Sequence, residues 1–418
     1  MPLALLTHRL AFDPQDPEAA LGQLPHSKAV FALYGAEEQA EPYIGLTPDL
    51  RRRLERLLRP AKGQTKRLQL ASRVRQIAWR ETGSEFESLL AQFALLEQSF
   101  GPKSLERMKL RSPAFVRFHG GNPYPRLTIT NKPSWKEAQW AFGPFPSRAA
   151  AERYADEMLK LFLLRRCEEN LDPNPSHPGC VYSEMKMCLA PCYQGCTDTR
   201  YTEEAEAVRS FLATHGESKL VQIRAERDQA SEDLEFEEAA RLHALHEKVQ
   251  AVNNLAPELM HPLSELQACI FQASASPDEV AVFLFQDGEL RGPVAFSTLG
   301  MRIQNEQSGS SSLYAQPMAI EAVLEPMPSG ETASTSPAKA PRGMLEARLE
   351  VVLAALSEAR PQPNAIARQG NLALLARWYY RPAQKRVGEI CFPANDTHEW
   401  PVKAMLRSVG RVAAAQLR

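Results

Sequence analysis

The sequence predicts an α+β multidomain protein, and three observations lead there. Short stretches rich in β-forming residues stand beside long helix-forming segments. Five of the seven cysteines fall between Cys167 and Cys196, which marks a unit organised around thiols. The 418 residues, 44% of them hydrophobic and 24% charged, are ordinary for a globular chain and suffice for roughly two to four cores. We place domain boundaries at 24–105, 106–200, 201–255 and 265–418. The last contains a linker over 305–342, rich in Ser, Pro, Gly, Thr and Ala.

Residues 29–34 alternate and are rich in β-formers, and Tyr43-Ile44-Gly45 ends a second apolar stretch. With the acidic loop 36–41 between them they read as a hairpin with a long connection. Pro48 is expected in the first turn of a basic helix over 49–58. Residues 74–79 read as a third strand. Over 84–100, Phe86, Leu89, Leu90, Phe93 and Leu96 recur at helical spacing until Gly101-Pro102 stops them. In the second unit, 125–130 reads as a strand, 142–148 as a loop and 149–164 as a helix. Residues 202–254 are almost wholly helix-forming, with an acidic centre over 231–241. Residues 268–296 read as consecutive strands with a turn at Asp287-Gly288. The tail, through 343–356, 371–380, 386–392 and 402–417, returns to alternating helix and strand.

The net charge of −1 does not by itself advertise nucleic acid. Between Asp49 and Arg80, however, eleven basic residues (Arg51, Arg52, Arg53, Arg56, Arg59, Lys62, Lys66, Arg67, Arg73, Arg75 and Arg80) face only Asp49 and Glu55. With so few acids in the window, salt-bridge lacing explains the run poorly and phosphate contact explains it well. The expected DNA-contacting residues are Arg51, Arg52 and Arg56. The apolar run from Pro2 to Leu6 is too short for a signal-peptide core, and no segment approaches a membrane span. A cytoplasmic location without a membrane partner is expected.

The cysteine spacing is Cys167-x12-Cys180-x7-Cys188-x3-Cys192, with Cys196 a further x3 on. Four thiolates suffice for tetrahedral zinc or for an iron–sulfur cluster, and the spacing leaves both open. The bland alternative is a set of buried, inert thiols. In a chain without an export signal, clustered thiols more often bind metal than form disulfides.

Cys167-Glu-Glu-Asn170, Cys180-x-Tyr182 and Lys186-x-Cys-Leu-Ala-Pro-Cys192 together resemble the cysteine region of the UvrC family, the incision subunits of bacterial nucleotide excision repair. Phe142-Gly-Pro-Phe-Pro-Ser-Arg148 and Lys160-Leu-Phe162 point the same way. The resemblance implies a [4Fe-4S] cluster on Cys167, Cys180, Cys188 and Cys192, with zinc the alternative and Cys196 extra. The first unit resembles the family's GIY-YIG endonuclease domain, a small antiparallel sheet with helices. Ala29-Val30-Phe31 stands at the GIY element, Tyr43-Ile44-Gly45 at YIG, and Arg53 at the family arginine. The resemblance gives Tyr43 and Arg53 catalytic roles in metal-assisted phosphodiester hydrolysis.

Departures from the pattern fall on the chemistry. The GIY tyrosine is Phe31, which lacks the hydroxyl, and the metal-binding glutamate position is Gln92, a poorer ligand for Mg²⁺. Leu46 replaces the family lysine, and Pro102-Lys-Ser-Leu105 replaces an asparagine-bearing segment. Glu85 is too far along its helix to substitute for the missing acid. The segment from Ala230 to Leu242 is similar to the UVR motif, a helical hairpin that pairs with UvrB; Leu234 and Phe236 would be its apolar plugs. The tail resembles part of an RNase H-like α/β nuclease, without its carboxylate-bearing segment. Asp278, Asp287 and Asp396 read as scattered loop acids.

These features imply a divergent, truncated UvrC-like repair protein that binds DNA and a UvrB-like partner and has lost strand cleavage. One alternative is an active endonuclease making a single incision, for which Mg²⁺ would be needed. Another is a redox-responsive iron–sulfur DNA-binding regulator.

Overall fold

The computed structural model describes residues 5–37, 40–59, 70–301, 342–358, 361–394 and 399–417. Lys62, Lys66, Arg67, Asp396 and the linker, apart from the helix start at Arg342, lie outside the described residues. Three four-stranded sheets and the helices against them make a mixed fold of small antiparallel sheets.

The first sheet comprises β1 (His8–Ala11), β2 (Ala29–Gly35), β3 (Tyr43–Thr47) and β4 (Val74–Glu81), in the order β1-β4-β2-β3. The β2–β3 hairpin and the third strand fall where the sequence places them. Strand β1 was not legible, because its four residues are mostly exposed and show no alternation. The helices are α1 (Pro17–Leu21), α2 (Leu50–Leu58), α3 (Leu70–Arg73), α4 (Glu85–Phe100) and α5 (Lys103–Arg107). Asp49 caps α2, accepting the Arg52 N–H, so Pro48 precedes the cap and does not sit in the first turn. The period of two sorts the sheet's faces. Phe31, Leu33, Ile77 and Trp79 pack with Leu50, Leu54 and Leu58 of α2, while Val30, Ala32 and Ala78 pack with Leu95 and Ala91 of α4.

The middle sheet has the order β6-β5-β7-β8, from β5 (Ala114–Phe118), β6 (Leu127–Thr130), β7 (Ala141–Phe145) and β8 (His261–Pro262). Strand β7 corrects the loop expected over 142–148. Proline removes a ladder donor and reads as a strand breaker, yet all five residues of β7 are buried. A Cβ on Gly143 would stand 2.6 Å from the Phe115 ring, so the glycine serves close packing against β5. Helix α6 (Arg148–Met158) ends six residues before the expected 164. Beyond it the chain turns to bury Phe162 and Leu164, and Leu163 N–H donates to Glu204 at 2.7 Å. The apolar spacing that suggested more helix comes from a turn feeding the same core. After α7 (Val181–Glu184) come three long helices, α8 (Asp198–Ala213), α9 (Glu217–Glu232) and α10 (Phe236–Asn253).

The third sheet has the order β11-β10-β9-β12, from β9 (Ala268–Ala273), β10 (Glu279–Gln286), β11 (Glu289–Ser297) and β12 (Glu389–Cys391). The turn at Asp287-Gly288, with φ of 53° and 80°, has the left-handed pair that tight hairpins require. Helices α11 (Arg342–Ser357) and α13 (Val402–Gln416) cover one face. Helix α12 (Ala365–Tyr379) and the second apolar stripe of α4 (Phe86, Leu90, Phe93) cover the other. Every described pairing is antiparallel. Strands β9, β10 and β11 follow one another through short turns, and such connections force antiparallel neighbours. Helix α4 thus serves two cores, those of the first and third sheets. Among the described residues no helix is long and apolar enough to cross a membrane.

His215, in the α8–α9 turn, meets His261 of β8 edge-on at 5.1 Å. Burial first, and then His261, push His215 down from the ordinary 6.5 to about 4, against a hydrogen bond to the Met260 carbonyl. The folded state therefore holds His215 neutral where the unfolded chain binds a proton. Stability is full above pH 6.5 and falls as the pH drops from there to about 4, by at most about 3 kcal/mol. His215→Asn keeps a residue that tolerates the positive φ of 51°. Its denaturant midpoint should vary less with pH across that window than the parent's; identical profiles would refute the assignment.

Candidate functional site

The residues singled out in the sequence fall at three places. The first is the sheet face beneath α2. Phe31 is fully buried, its ring 6.1 Å from that of Tyr43 and packed over Gly45, where a Cβ would come within 2.8 Å. Arg53 lies on α2, which packs on this same face through its leucines. Gln92 belongs to α4, which packs on the opposite face, so the sheet stands between α4 and the Phe31–Tyr43 pair. The neighbouring acids are committed elsewhere. Glu85 forms a two-bond ion pair with Arg381 (2.8 and 3.0 Å). Glu87, pushed up by burial, accepts from Arg80 and from the Gly83 N–H.

The basic run is more laced than its window of sequence suggested. Arg51 pairs with Glu55, and Arg59 pairs with Glu55 and with Glu18, which α1 brings from outside the window. Arg52 and Arg56 remain exposed, one turn apart on α2. The Arg56 Nε donates to the Arg52 carbonyl, which aligns the two side chains along one ridge. Arg73 and Arg75 are exposed nearby in sequence, ahead of and within β4.

The second place is the cysteine loop. Cys180 is the N-cap of α7, its N–H held by the Ser183 hydroxyl at 2.9 Å. Three non-glycine residues, Lys186, Ala190 and Gln194, take positive φ of 55°, 52° and 61° around Cys188 and Cys192. Such backbone costs energy and persists where the surroundings over-determine it. Burial raises the Cys188 thiol, and so would negative charge on Cys180, Cys192 and Cys167. Cys192 responds in the same way to burial, Cys180 and Cys167. The four thiols are therefore electrostatic neighbours, while Cys196 responds to burial and Asp198. Ala190 N–H donates to the Cys188 sulfur and Tyr193 N–H to the Cys192 sulfur, both favouring thiolate. Among the described residues, no three or more His, Cys, Asp or Glu side chains form a ready ligand set.

Sequence reasoning missed a residue here. Arg165, two positions before Cys167, is 1% exposed, and its Nη1 reaches the Cys167 sulfur at 3.6 Å. Its Nη2 is buried without a partner. The pair Arg165-Arg166 preceding the first cysteine was the available signal. The structure also brings together two cysteines that looked solitary: Cys269 of β9 lies directly opposite Cys391 of β12, both buried.

The third place is the tip between α9 and α10. Leu234 holds a left-handed φ of 59° and is 70% exposed, and Phe236, the first residue of α10, is 68% exposed. A bulky residue in that conformation is strained. An exposed Leu–Phe pair ringed by Glu232, Asp233, Glu235, Glu237 and Glu238 gains nothing within the chain.

Residues 114–211 match the family model described as UvrC/Cho excinuclease, middle domain. The match begins at β5, ends in α8 and encloses all five clustered cysteines. Among curated proteins, the chain is 30% identical over 244 residues to UvrABC system protein C of Escherichia fergusonii, covering 58% of this chain and 39% of that protein. It is 29% identical over 244 residues to that of Shigella dysenteriae serotype 1 (58% and 41%) and 30% over 241 residues to that of Salmonella paratyphi B (57% and 38%). The chain spans about two fifths of the length of these relatives. No solved structure matches it. The chain thus carries a UvrC/Cho-type middle domain around its cysteine loop, and its similarity to UvrABC system protein C extends well beyond that domain.

Proposed function

We propose that this chain works in nucleotide excision repair as a DNA-binding, partner-docking protein that does not cut DNA. The observation that carries the reading is the middle-domain match around the cysteine loop, flanked in chain order by a basic-helix unit and a helical hairpin with an exposed Leu–Phe tip. DNA binding falls to Arg51, Arg52 and Arg56. Of these, Arg52 and Arg56 are the better phosphate contacts, since Arg51 shares its charge with Glu55. A UvrB-like partner docks on Leu234 and Phe236, the acidic rim setting partner choice. Loss of cleavage in the GIY-YIG-like unit is supported by the missing hydroxyl at Phe31, by the amide at Gln92, and by Glu85 and Glu87 being engaged by Arg381 and Arg80.

Cys167, Cys180, Cys188 and Cys192 would hold the metal. What supports a thiolate-bound centre is the donor chemistry of four cysteines and a buried arginine with an orphaned donor beside the first of them, while no three such side chains stand as a ready ligand set among the described residues. A [4Fe-4S] cluster would supply a cross-link between the turns of the loop and one-electron redox chemistry. The residues themselves present the sulfurs, with backbone N–H donors at Cys188 and Cys192.

Two measurements test this. Protein purified without air should be brown and carry iron and sulfide in cluster ratio; colourless protein with one zinc would shift the centre to zinc. On lesion-bearing duplex with Mg²⁺ or Mn²⁺, with and without a UvrB-like protein, binding without nicking is expected. Metal-dependent nicking lost in Tyr43→Phe or Arg53→Ala would overturn the non-cutting reading.

A further inference from the structure

Arg165 is a fully desolvated cation without an anion. Its Nε donates to the Tyr124 carbonyl at 2.9 Å. Its Nη1 donates to the carbonyls of Glu169 (2.8 Å) and Cys167 (3.4 Å) and to the Cys167 sulfur (3.6 Å). Its Nη2 is buried and unpartnered, and no carboxylate pairs with it among the described residues. The other arginine buried among the described residues, Arg291, behaves ordinarily: Glu289 pairs with it at 3.0 Å. Burying a guanidinium on carbonyls and one sulfur, with no carboxylate, leaves its desolvation uncompensated, so an anion is missing from the account.

The nearest source of that anion is the thiols. Tyr201, whose hydroxyl accepts the Arg165 N–H and donates to the Pro125 carbonyl, is itself pushed up by burial and by Cys167 and Cys188. The arginine abuts the loop at its first cysteine, where its Nη1 meets the Cys167 sulfur. Four thiolates around either Zn²⁺ or a [4Fe-4S] cluster in its oxidised state leave a net dianion, and net charge sets both metal retention and reduction potential.

We infer that Arg165 is the internal counter-cation of a tetrathiolate centre on Cys167, Cys180, Cys188 and Cys192, holding its metal and raising its potential. The inference rests on the metal reading above and stands for either metal. It makes Arg165 a positioning residue, acting through the ligands. It also predicts that metal loss, which returns the thiols to their neutral form, strands a buried charge and loosens the loop.

The test uses the full chain, prepared without air, as parent, Arg165→Gln and Arg165→Lys. Arg165→Gln should release its metal to a chelator at least about tenfold faster. For an iron–sulfur centre, its reduction equilibrium should shift about tenfold toward the oxidised form, about 59 mV for one electron. Arg165→Lys, which keeps the charge, should stay near the parent in both. The melting temperature of the metal-loaded form should fall in Arg165→Gln, while that of the chelated apoprotein should not, because the stranded charge is gone. Unchanged release and potential in Arg165→Gln would overturn the inference. So would equal losses of melting temperature in loaded and apo forms, which would mean packing alone, or a lysine variant as leaky as the glutamine one. If Arg165→Gln does not fold, the lysine variant's release rate decides. A parent that binds no metal removes the metal reading and this inference together, whereas a loaded parent with an unaffected glutamine variant removes only the inference.

Discussion

Replacing Leu234 by Asn and Phe236 by Ser together should weaken binding of a UvrB-like partner by about 100-fold or more, with thermal unfolding almost unchanged. The magnitude follows from truncating two apolar anchors at the centre of a contact, where each costs about 2 kcal/mol or more and each 1.4 kcal/mol is tenfold. The unchanged stability follows from exposure. Both side chains stand more than two thirds in solvent, and such surface changes shift unfolding by about 0.5 kcal/mol or less. Asn also relieves the left-handed strain at position 234. Calorimetric titration of the purified pair checks the first arm and a melt the second. Parental affinity in the double variant would remove the docking role. A lowered melt would make the tip a packing element of the α9–α10 hairpin instead.

Gly370→Ala should destabilise the protein by about 2 kcal/mol, and Phe93→Leu should restore much of the loss. A Cβ at Gly370 on α12 would lie 1.9 Å from the tip of the Phe93 ring on α4, and both residues are buried. Overpacking a filled core costs about 1–3 kcal/mol, which outweighs the gain of up to about 1 kcal/mol from alanine's helix propensity. Because the contact joins helices from opposite ends of the chain, the loss should appear in unfolding of the core shared by α4 and the third sheet. Denaturant midpoints of the two single variants and the double variant check it. A Gly370→Ala protein more stable than the parent would mean that α4 and α12 do not meet as described.

Local elements were legible where a period or a punctuating residue marked them. Helix α4 announced itself by five apolar positions and by Gly101, and the β10–β11 turn by Asp287-Gly288. Strand β7 was hidden because its stability comes from a ring packed over Gly143, a contact contributed by residue 115. Helix α6 was overestimated because Phe162 enters the core from a turn with helical spacing. The basic run looked free of acids because Glu18 joins it only through the tertiary fold.

The sequence by itself determined the family resemblance, the clustered thiols, and the phenylalanine and glutamine at positions 31 and 92 on which the proposed loss of cleavage turns, since these depend on residue identity and short spacing alone. Only the tertiary structure decided that Arg165 is buried beside the cysteines without a counter-ion, that Glu85 is tied to Arg381, that Cys269 faces Cys391, and that Leu234 and Phe236 point into solvent. Each of those depends on the burial or pairing of groups separated along the chain, and the energies that set them, desolvation and close packing, have no signature in local sequence.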